Sequence, residues 1–310
     1  MIRVGVIGTG EMGQHHVRIF SDMSDAELVG ISDVNEERLS TISRGYGVEA
    51  FLDHKELLKH DLDAVSIAVP TTLHTKIAMD AMNKGIDVLV EKPIADTLEN
   101  ADLMIRRAEK EDLKLMVGHI ERFNPAIIKL KELQKRLGKI VAISARRVGP
   151  YNPRIRDVGV IIDLGVHDID VMSYLYSEEI KSVHAYAGSV MHKFEDYASI
   201  LLGFKNGNSG SIETNWLTPH KVRKLTVTGT EGIAYVDYIE QALRIFNSEN
   251  EKNIAIEKRE PLKNELEHFL MCVKKNKEPL VGGEEGRHAL MVALNAVRSY
   301  RTGRVIELFK

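Results

Sequence analysis

The chain has a single cysteine, Cys272, among its 310 residues, which excludes an internal disulfide and a thiolate-rich zinc site. It also has no excess of charge of one sign, because 42 Lys and Arg oppose 45 Asp and Glu, and this balance gives no electrostatic case for binding nucleic acid. No apolar run approaches the roughly 18 residues that a membrane span needs, and no secretory signal precedes the first strand. We therefore expect a cytoplasmic protein with neither a nucleic acid nor a membrane as its partner.

The length and the composition, with 44% apolar and 28% charged residues, predict two folded globular domains. Residues 1–118 alternate apolar runs with helical segments, which predicts an α/β domain with a Rossmann-type, doubly wound parallel sheet. In residues 119–310 strands follow one another, with turn signals such as Asn206-Gly207-Asn208. This second domain is expected to be α+β, with a large, open, mostly antiparallel sheet.

The opening of the chain carries the pattern of a dinucleotide-binding loop. A β-branched run, Ile2–Ile7, leads directly into glycines at 8, 10 and 13 and then into a helical pattern. Such glycines allow a tight turn, a close approach to a pyrophosphate and close packing of helix on strand. The cofactor contacts predicted here are Gly8, Thr9, Gly10, Glu11, Met12 and Gly13. Asp33 ends the next apolar run, where an acid meets the ribose hydroxyls and repels a 2′-phosphate, so NAD is predicted rather than NADP. Arg38 is the one nearby cation that opposes this.

Three side chains could take part in catalysis. Lys92 follows an apolar strand and precedes Pro93, so it could donate a hydrogen bond to a substrate oxygen, although it could equally be a surface lysine in a turn. Asp163 and His167 are four residues apart on a predicted helix and share one face, where histidine is the usual general base. A structural carboxylate–histidine pair or half of a metal site are the alternatives, but the sequence supplies no third ligand, so no metal is expected. His15 and His16 lie too far apart around a helix to hold one ion, and they are interpreted as packing or solvated residues.

Together with Glu91-Lys92-Pro93 and Arg122-Phe123-Asn124-Pro125, these segments resemble the Gfo/Idh/MocA oxidoreductases over essentially the whole chain. The resemblance implies that Lys92, Asp163 and His167 are the catalytic residues. It also implies further cofactor-binding positions, namely Pro70, Thr71, His74, Glu91, Lys92 and Arg122. One departure is Val69, which replaces the common threonine before Pro70 and removes a hydroxyl near the cofactor.

The segments 145–163 and 215–219 are similar to archaeal-type members of the family that act on nucleotide sugars. This implies NAD-dependent oxidation of a secondary hydroxyl, the 3-hydroxyl of UDP-N-acetylglucosamine or of a related nucleotide sugar. An inositol or free-sugar dehydrogenase, an NAD-dependent glycosidase and a non-catalytic NAD-binding regulator are the alternatives. Four nearby arginines could contact a diphosphate, or could form a solvated basic edge: Arg146, Arg147, Arg154 and Arg156.

The predicted sheet of the second domain has apolar residues on both of its faces. In strand 199–204 Ile200 and Leu202 share one face and Leu201 lies on the other, and strand 233–239 has a similar pattern. One face can pack on helices of its own domain, while the other needs cover because large apolar patches are rarely left open. The sequence therefore predicts a homodimer or homotetramer assembled through sheet faces.

Overall fold

The computed structural model describes residues 1–153, 158–248 and 251–309. They form two compact units, the first of residues 1–119 and 262–288, the second of residues 120–261 and those from 289 onward. The first unit is thus discontinuous in sequence, and the single domain boundary predicted after residue 118 stays a prediction. Among the described residues, no helix has both the length and the apolar character needed to cross a membrane.

A parallel sheet of six strands forms the centre of the first unit. Its strands are β1 (Ile2–Ile7), β2 (Ala26–Ser32), β3 (Glu49–Phe51), β4 (Ala64–Ile67), β5 (Asp87–Glu91) and β6 (Leu115–Gly118). Their spatial order is β3-β2-β1-β4-β5-β6, with every neighbouring pair parallel. This is the order of the doubly wound dinucleotide-binding fold, whose ligands bind at the carboxyl ends of the strands where the order reverses, between β1 and β4. The predicted Rossmann fold is confirmed.

Five helices of the first unit follow from local sequence signals. They are α1 (Glu11–Asp22), α2 (Glu36–Tyr46), α3 (His54–Leu57), α4 (His74–Met82) and α5 (Leu98–Lys110). The side chain of Asn35 caps α2 by accepting from the Arg38 N–H, and Thr97 caps α5 in the same way. α2 ends at Gly47, whose φ of +63° is the left-handed conformation that glycine adopts without strain.

The second unit contains a nine-stranded sheet. Its strands are β7 (Ile140–Pro150), β8 (Ile180–Gly188), β9 (Tyr197–Phe204), β10 (Ser209–Asn215), β11 (Leu217–Gly229), β12 (Gly232–Asp237), β13 (Ala242–Asn247), β14 (Glu251–Ile254) and β15 (Ile306–Glu307). The spatial order is β14-β13-β12-β11-β7-β10-β9-β8-β15. Among these described strands, β7 with β10 is the parallel pair and the other neighbours are antiparallel. The predicted mostly antiparallel sheet is therefore confirmed.

One face of this sheet belongs to the core of the second unit. Alternate residues of β9, including Ile200 and Leu202, are buried there with residues of two helices, α6 (Pro125–Leu133) and α7 (Val166–Tyr176). The intervening residues of β9 point the other way, and the Leu201 side chain is 57% exposed. β12 repeats the pattern, with Tyr235 exposed between two buried neighbours. Apolar side chains therefore occupy the outer face of the sheet as well as the inner one.

The structure differs from the predicted elements at several places. The helix expected from Asp163 begins as a π-helical turn, Ile161–Gly165, and α7 follows it. Strands β3 and β14, of three and four residues, were not predicted because so short a segment shows too little alternation. The last two helices are α8 (Pro261–Lys275) and α9 (Gly283–Thr302). Between them the chain returns to β6 of the first unit, where the Val117 N–H donates to the Val281 carbonyl at 2.9 Å.

Candidate dinucleotide-binding and active site

The turn between β1 and α1 has the geometry of a phosphate cradle. Gly8 has a φ of +90°, and a Cβ there would lie 2.5 Å from the Ala68 carbonyl oxygen. A Cβ at Gly13 would lie 1.8 Å from the Gly8 carbonyl oxygen, so close packing of helix on strand requires glycine. At Gly10 a Cβ would meet no protein atom within 4 Å, so protein packing does not explain this glycine, whereas the approach of a ligand does. Gly10 also caps α1 without a side chain, which suits an anion at the helix N-terminus.

Asp33, at the end of β2, lies beside this turn and is 8% exposed. Its Oδ2 accepts from the Thr9 backbone N–H at 2.7 Å and from the Thr9 hydroxyl at 2.9 Å, and its Oδ1 accepts from the Asn35 N–H at 2.8 Å. The Arg38 guanidinium donates to both carboxylate oxygens at 2.8 Å. Burial would raise the pKa of Asp33, but these donors outweigh it and hold the pKa below its ordinary value.

Arg38 therefore neutralises the acid that was predicted to choose between NAD and NADP. Its side chain is 39% exposed, so it can move away from Asp33 at little cost in buried area. With Arg38 in place, most acceptor positions of the Asp33 carboxylate are already used, and ribose hydroxyls would compete with the guanidinium for them.

Next to Asp33 the first unit has a cavity of about 680 Å³, within the usual size range for a small-molecule or cofactor site. Residues from the carboxyl ends of three neighbouring strands line it. Among them are Gly8, Gly10, Asp33, Arg38, Pro70 and Lys76. The structure thus brings together the glycine turn, the acid and the loop after β4, as the motifs predict for an adenosine site.

The loops after β4 and β5 are tied together by His74. Its ring is 1% exposed, with Nδ1 3.0 Å from the Pro93 carbonyl oxygen and Nε2 3.0 Å from the Val69 carbonyl oxygen. Burial lowers the pKa of His74 below its ordinary value. Thr71 begins the short 3-10 turn after Pro70, and Glu91 and Lys92 are half-buried at the end of β5. As cofactor contacts, Pro70, Thr71, His74, Glu91 and Lys92 stay predictions.

In the second unit the proposed base lies on a helix that begins with a π-helical turn. Asp163 is within this turn, where its N–H donates to the Gly159 carbonyl at 3.0 Å, and His167 is in the first turn of α7. Both side chains are half-buried. π-Helical turns occur frequently at functional sites. The catalytic set Lys92, Asp163 and His167 is divided between the two units and stays a prediction.

Two buried arginine–aspartate pairs anchor the helix that carries His167. Arg147, on β7, is 1% exposed and donates through Nε to Asp168 Oδ2 at 2.7 Å and through a terminal nitrogen to Glu121 Oε1 at 2.8 Å. Arg122 donates to the Asp170 carboxylate through two nitrogens, at 2.8 and 2.6 Å. Each pair places charge-assisted hydrogen bonds on α7, one directly after His167 and one three residues after it. The rotation of this helix about its axis is thereby fixed.

These contacts change the interpretation of several predicted arginines. Arg147 was a candidate diphosphate contact, and this was wrong, because its guanidinium is buried and used by Asp168 and Glu121. Arg146 points to the other side of β7, half-exposed, and pairs with Glu213 at 3.0 Å. Arg154 and Arg156 lie outside the described residues. Arg122 is 5% exposed and paired with Asp170, and its predicted cofactor contact stays a prediction.

Three residues of interest were not identified from the sequence. His16 and Ser66 form buried hydrogen bonds in the first unit, and Arg223, on β11, lies 3.8 Å from Glu121 with a side chain that is 35% exposed. Burial and repulsion from Arg147 lower the pKa of Arg223, opposed by the carboxylates of Glu121, Asp168 and Asp163. Arg223 stands in a run of mixed polar residues without a motif, so its sequence gave no signal. The sequence places His16 on a helix, as a packing or solvated residue, and does not indicate its hydrogen-bond partners.

Comparisons with known proteins agree with this geometry over both parts of the chain. Residues 2–119 match the model of the oxidoreductase family with the NAD-binding Rossmann fold, and residues 128–235 match the GFO/IDH/MocA C-terminal domain. The chain is 30% identical to UDP-N-acetylglucosamine 3-dehydrogenase of Acidithiobacillus ferrooxidans, over 94% of this chain and 95% of the relative. It is also 30% identical to myo-inositol 2-dehydrogenase of Thermotoga maritima, over 99% and 98% of the two chains.

A solved structure of the Acidithiobacillus enzyme superposes with a TM-score of 0.92, covering 97% of this chain and 98% of that one. The two matched family models lie in the order that the motifs predicted, and the NAD-binding model covers the glycine turn and Asp33. NAD is therefore the cofactor, and the cavity beside Asp33 fits its adenosine half. The chain belongs to the Gfo/Idh/MocA family of NAD-dependent oxidoreductases.

Proposed function

We propose that the protein is a sugar dehydrogenase that oxidises the 3-hydroxyl of UDP-N-acetylglucosamine or of a related nucleotide sugar. The observation that carries the proposal is similarity to a UDP-N-acetylglucosamine 3-dehydrogenase along almost the whole of both chains. The glycine turn, Asp33 and the adjoining cavity support the cofactor half of the reaction. The anchored helix with Asp163 and His167 supports the proton-transfer half.

In this proposal each polar residue has one task. Bound NAD would accept the hydride that leaves the carbon carrying the hydroxyl. The Lys92 amine would donate a hydrogen bond to the reacting oxygen, while His167 would take the hydroxyl proton as general base. Asp163 would orient the imidazole or hold the substrate in position. The buried pairs of Asp168 and Asp170 support this assignment, because a base must be held in one orientation to act efficiently.

For the nucleotide part of the substrate, Arg223 is a better candidate than Arg147. The Arg223 side chain is 35% exposed, whereas Arg147 is buried and used internally. An arginine can bind a diphosphate through two parallel hydrogen bonds, and this binding energy would position the sugar hydroxyl for reaction. Arg154 and Arg156 remain predicted contacts for the same group.

A second candidate is an inositol dehydrogenase, favoured by the equally high identity to the Thermotoga maritima enzyme. Both candidates require net reduction of NAD, so absorbance of NADH across a panel of UDP-sugars, free sugars and inositols separates them by substrate. Mass spectrometry of the product identifies the oxidised carbon. Glycoside cleavage without net NADH would instead support an NAD-dependent glycosidase, and binding of NAD without turnover of any compound would support a regulator.

The outer face of the nine-stranded sheet is the proposed surface for a homodimer or homotetramer. Apolar side chains are exposed on it, among them Leu201 at 57%, Tyr186 at 70% and Tyr235 at 39%. Because β9, β8 and β12 present these residues on the same side as Ser199 and Glu213, the face is mixed, as interfaces between subunits commonly are.

A further inference from the structure

Two buried polar side chains of the first unit form a connected row with a half-buried carboxylate. His16 on α1 lies between Ser66 on β4 and Glu91 at the end of β5, with its Nδ1 2.6 Å from the Ser66 hydroxyl and its Nε2 3.2 Å from Glu91 Oε1. His16 is 1% exposed and Ser66 is fully buried. Apolar side chains could fill this space without the cost of desolvating polar groups, so the row is not explained by packing alone.

The partners fix the direction of both hydrogen bonds. An ionised carboxylate can only accept, so Nε2 of His16 carries the proton and donates to Glu91. Nδ1 of a neutral imidazole then accepts from the Ser66 hydroxyl. Glu91 therefore sets the tautomer of His16, the Ser66 hydroxyl donates to the other nitrogen, and the ring is held at both of its nitrogens.

The Glu91 carboxylate is also held on its other side. Its Oε2 accepts from the backbone N–H of Lys92 at 3.2 Å. The Gly118 Cα packs against the same carboxylate, since a Cβ at that glycine would lie 3.3 Å from the Glu91 Oε1. The carboxylate thus has little freedom, and it contacts the main chain of the very residue whose amine is assigned to the reacting oxygen.

We propose that His16 is a positioning residue, which holds Glu91 in one place and, through Glu91, the main chain of Lys92. The proposal rests on the proposed function, because Lys92 acts on substrate only if the protein is a dehydrogenase. Displacement of a reacting group by about 1 Å can cost roughly 10²-fold in rate, so a residue that never touches substrate can still control turnover.

The groups around Glu91 agree with an ionised carboxylate. The groups that face it are His16 from α1, Lys92 next in the chain and His74 from α4. Burial would raise the pKa of Glu91, but the hydrogen bond from His16 and these neighbouring groups hold it below its ordinary value.

The test compares His16→Met with His16→Gln, and uses His15→Gln, the exposed neighbour on the same helix, as the matched control. Steady-state rates are measured with NAD and the best substrate of the panel. We expect kcat to fall about 10²-fold in His16→Met, with the Kd for NAD changed by less than about threefold. His16→Gln should recover part of kcat, since its amide N–H can still donate to Glu91, and His15→Gln should match the wild type. Equal kcat in the Met, Gln and wild-type proteins would overturn the proposal.

A second measurement does not need turnover. With 13C-labelled glutamate, the carboxyl signal of Glu91, assigned by its loss in Glu91→Gln, is followed by NMR from pH 3 to pH 8. The pKa should lie below the ordinary value in the wild type and above it in His16→Met, since burial persists while the donor is lost. An unchanged titration would overturn the link between His16 and Glu91, whereas a shifted titration in a protein that forms no NADH would retain the link and refute the proposed function.

If His16→Met does not fold, Ser66→Ala decides: a loss of kcat of about tenfold supports the proposal and full activity overturns it.

Discussion

Replacing Arg147 with methionine should destabilise the second unit strongly. Methionine has a similar length and keeps most of the packing, but it removes the hydrogen bonds from the guanidinium to Asp168 at 2.7 and 3.2 Å and to Glu121 at 2.8 Å. Both carboxylates are buried, with side chains 1% and 8% exposed. Breaking a buried pair by removing one partner costs about 3–5 kcal/mol, since a charge is left without compensation.

Contacts that remain in the variant lower the expected cost in stability, and repulsion between the two carboxylates raises it. Asp168 still accepts from the Tyr238 hydroxyl at 3.2 Å, and Glu121 still accepts from the Asn124 amide at 3.3 Å, so each carboxylate retains a hydrogen-bond donor. However, Asp168 loses the cation that pairs with it, Glu121 keeps only the more distant Arg223 at 3.8 Å, and the two carboxylates would then repel each other. We therefore expect a loss in the free energy of unfolding near the middle of the range, about 4 kcal/mol.

The neighbouring arginine gives a matched control. Arg146 lies on the same strand, and its side chain is 54% exposed. The side chain of its ion-pair partner, Glu213, is 49% exposed. Exposed pairs contribute about 0–1 kcal/mol, so Arg146→Met should be nearly neutral. Urea unfolding can be followed by the fluorescence of Trp216, the single tryptophan, which is 5% exposed in the same unit.

The double variant Arg147→Met, Asp168→Asn separates charge from packing. Asparagine removes the unpaired charge and still accepts from Tyr238, so part of the lost stability should return. If Arg147→Met unfolds at the same urea concentration as Arg146→Met, the buried pair does not anchor α7 as described. The same result would remove the physical basis for a fixed His167.

Four further predictions follow from the site and the surface. His167→Ala and Lys92→Ala should each lower kcat by roughly 10²–10⁴ while NAD binding, measured by calorimetry, stays close to the wild type; near-native turnover in either variant would show that the assignment is wrong. The wild type should prefer NAD, so that kcat/KM for NAD divided by kcat/KM for NADP exceeds one, and a preference for NADP would contradict this. Arg38→Ala should raise this ratio, because the variant loses the cation that could hold a 2′-phosphate while Asp33 still repels the phosphate. UDP-N-acetylglucosamine should be a far better substrate than free N-acetylglucosamine in kcat and in KM, and Arg223→Met should reduce that difference, whereas equal kcat/KM values would leave a plain sugar or inositol dehydrogenase. Light scattering at micromolar concentration should give a dimeric or tetrameric mass that Leu201→Lys shifts toward the monomer, and a monomeric wild type would rule out the sheet-face assembly.

The parts of the fold that were predictable have local signals. The glycines at 8, 10 and 13 and the acid at 33 stand at fixed distances along the chain, so one βαβ unit can be recognised from a short window. The alternation along β9 likewise predicted its two faces. In contrast, the role of Arg147 depends on Asp168 and Glu121, which come from other elements, and nothing near Arg147 in the sequence distinguishes it from Arg146 except the parity of its position on the strand.

The same reasoning applies to His16 and to the start of α7. A histidine on a helix can be buried against apolar side chains or bonded to distant polar groups, and the partners Ser66 and Glu91 are 50 and 75 residues away. The π-helical turn at Ile161–Gly165 inserts a local irregularity that helical periodicity does not encode. For His16, contacts with distant segments rather than local preference decide its role.

The discontinuity of the first unit has a consequence for biosynthesis. Leu266, Phe269 and Leu270 on α8 are almost fully buried, Lys114 pairs with Glu278 at 2.8 Å, and β6 bonds to residue 281. A ribosome releases residues 1–119 long before these partners exist, and at 5–20 residues per second the gap is on the order of ten seconds. During that interval Lys114 and β6 lack these later partners, so we expect the first unit to depend most on chaperones in this stretch of translation.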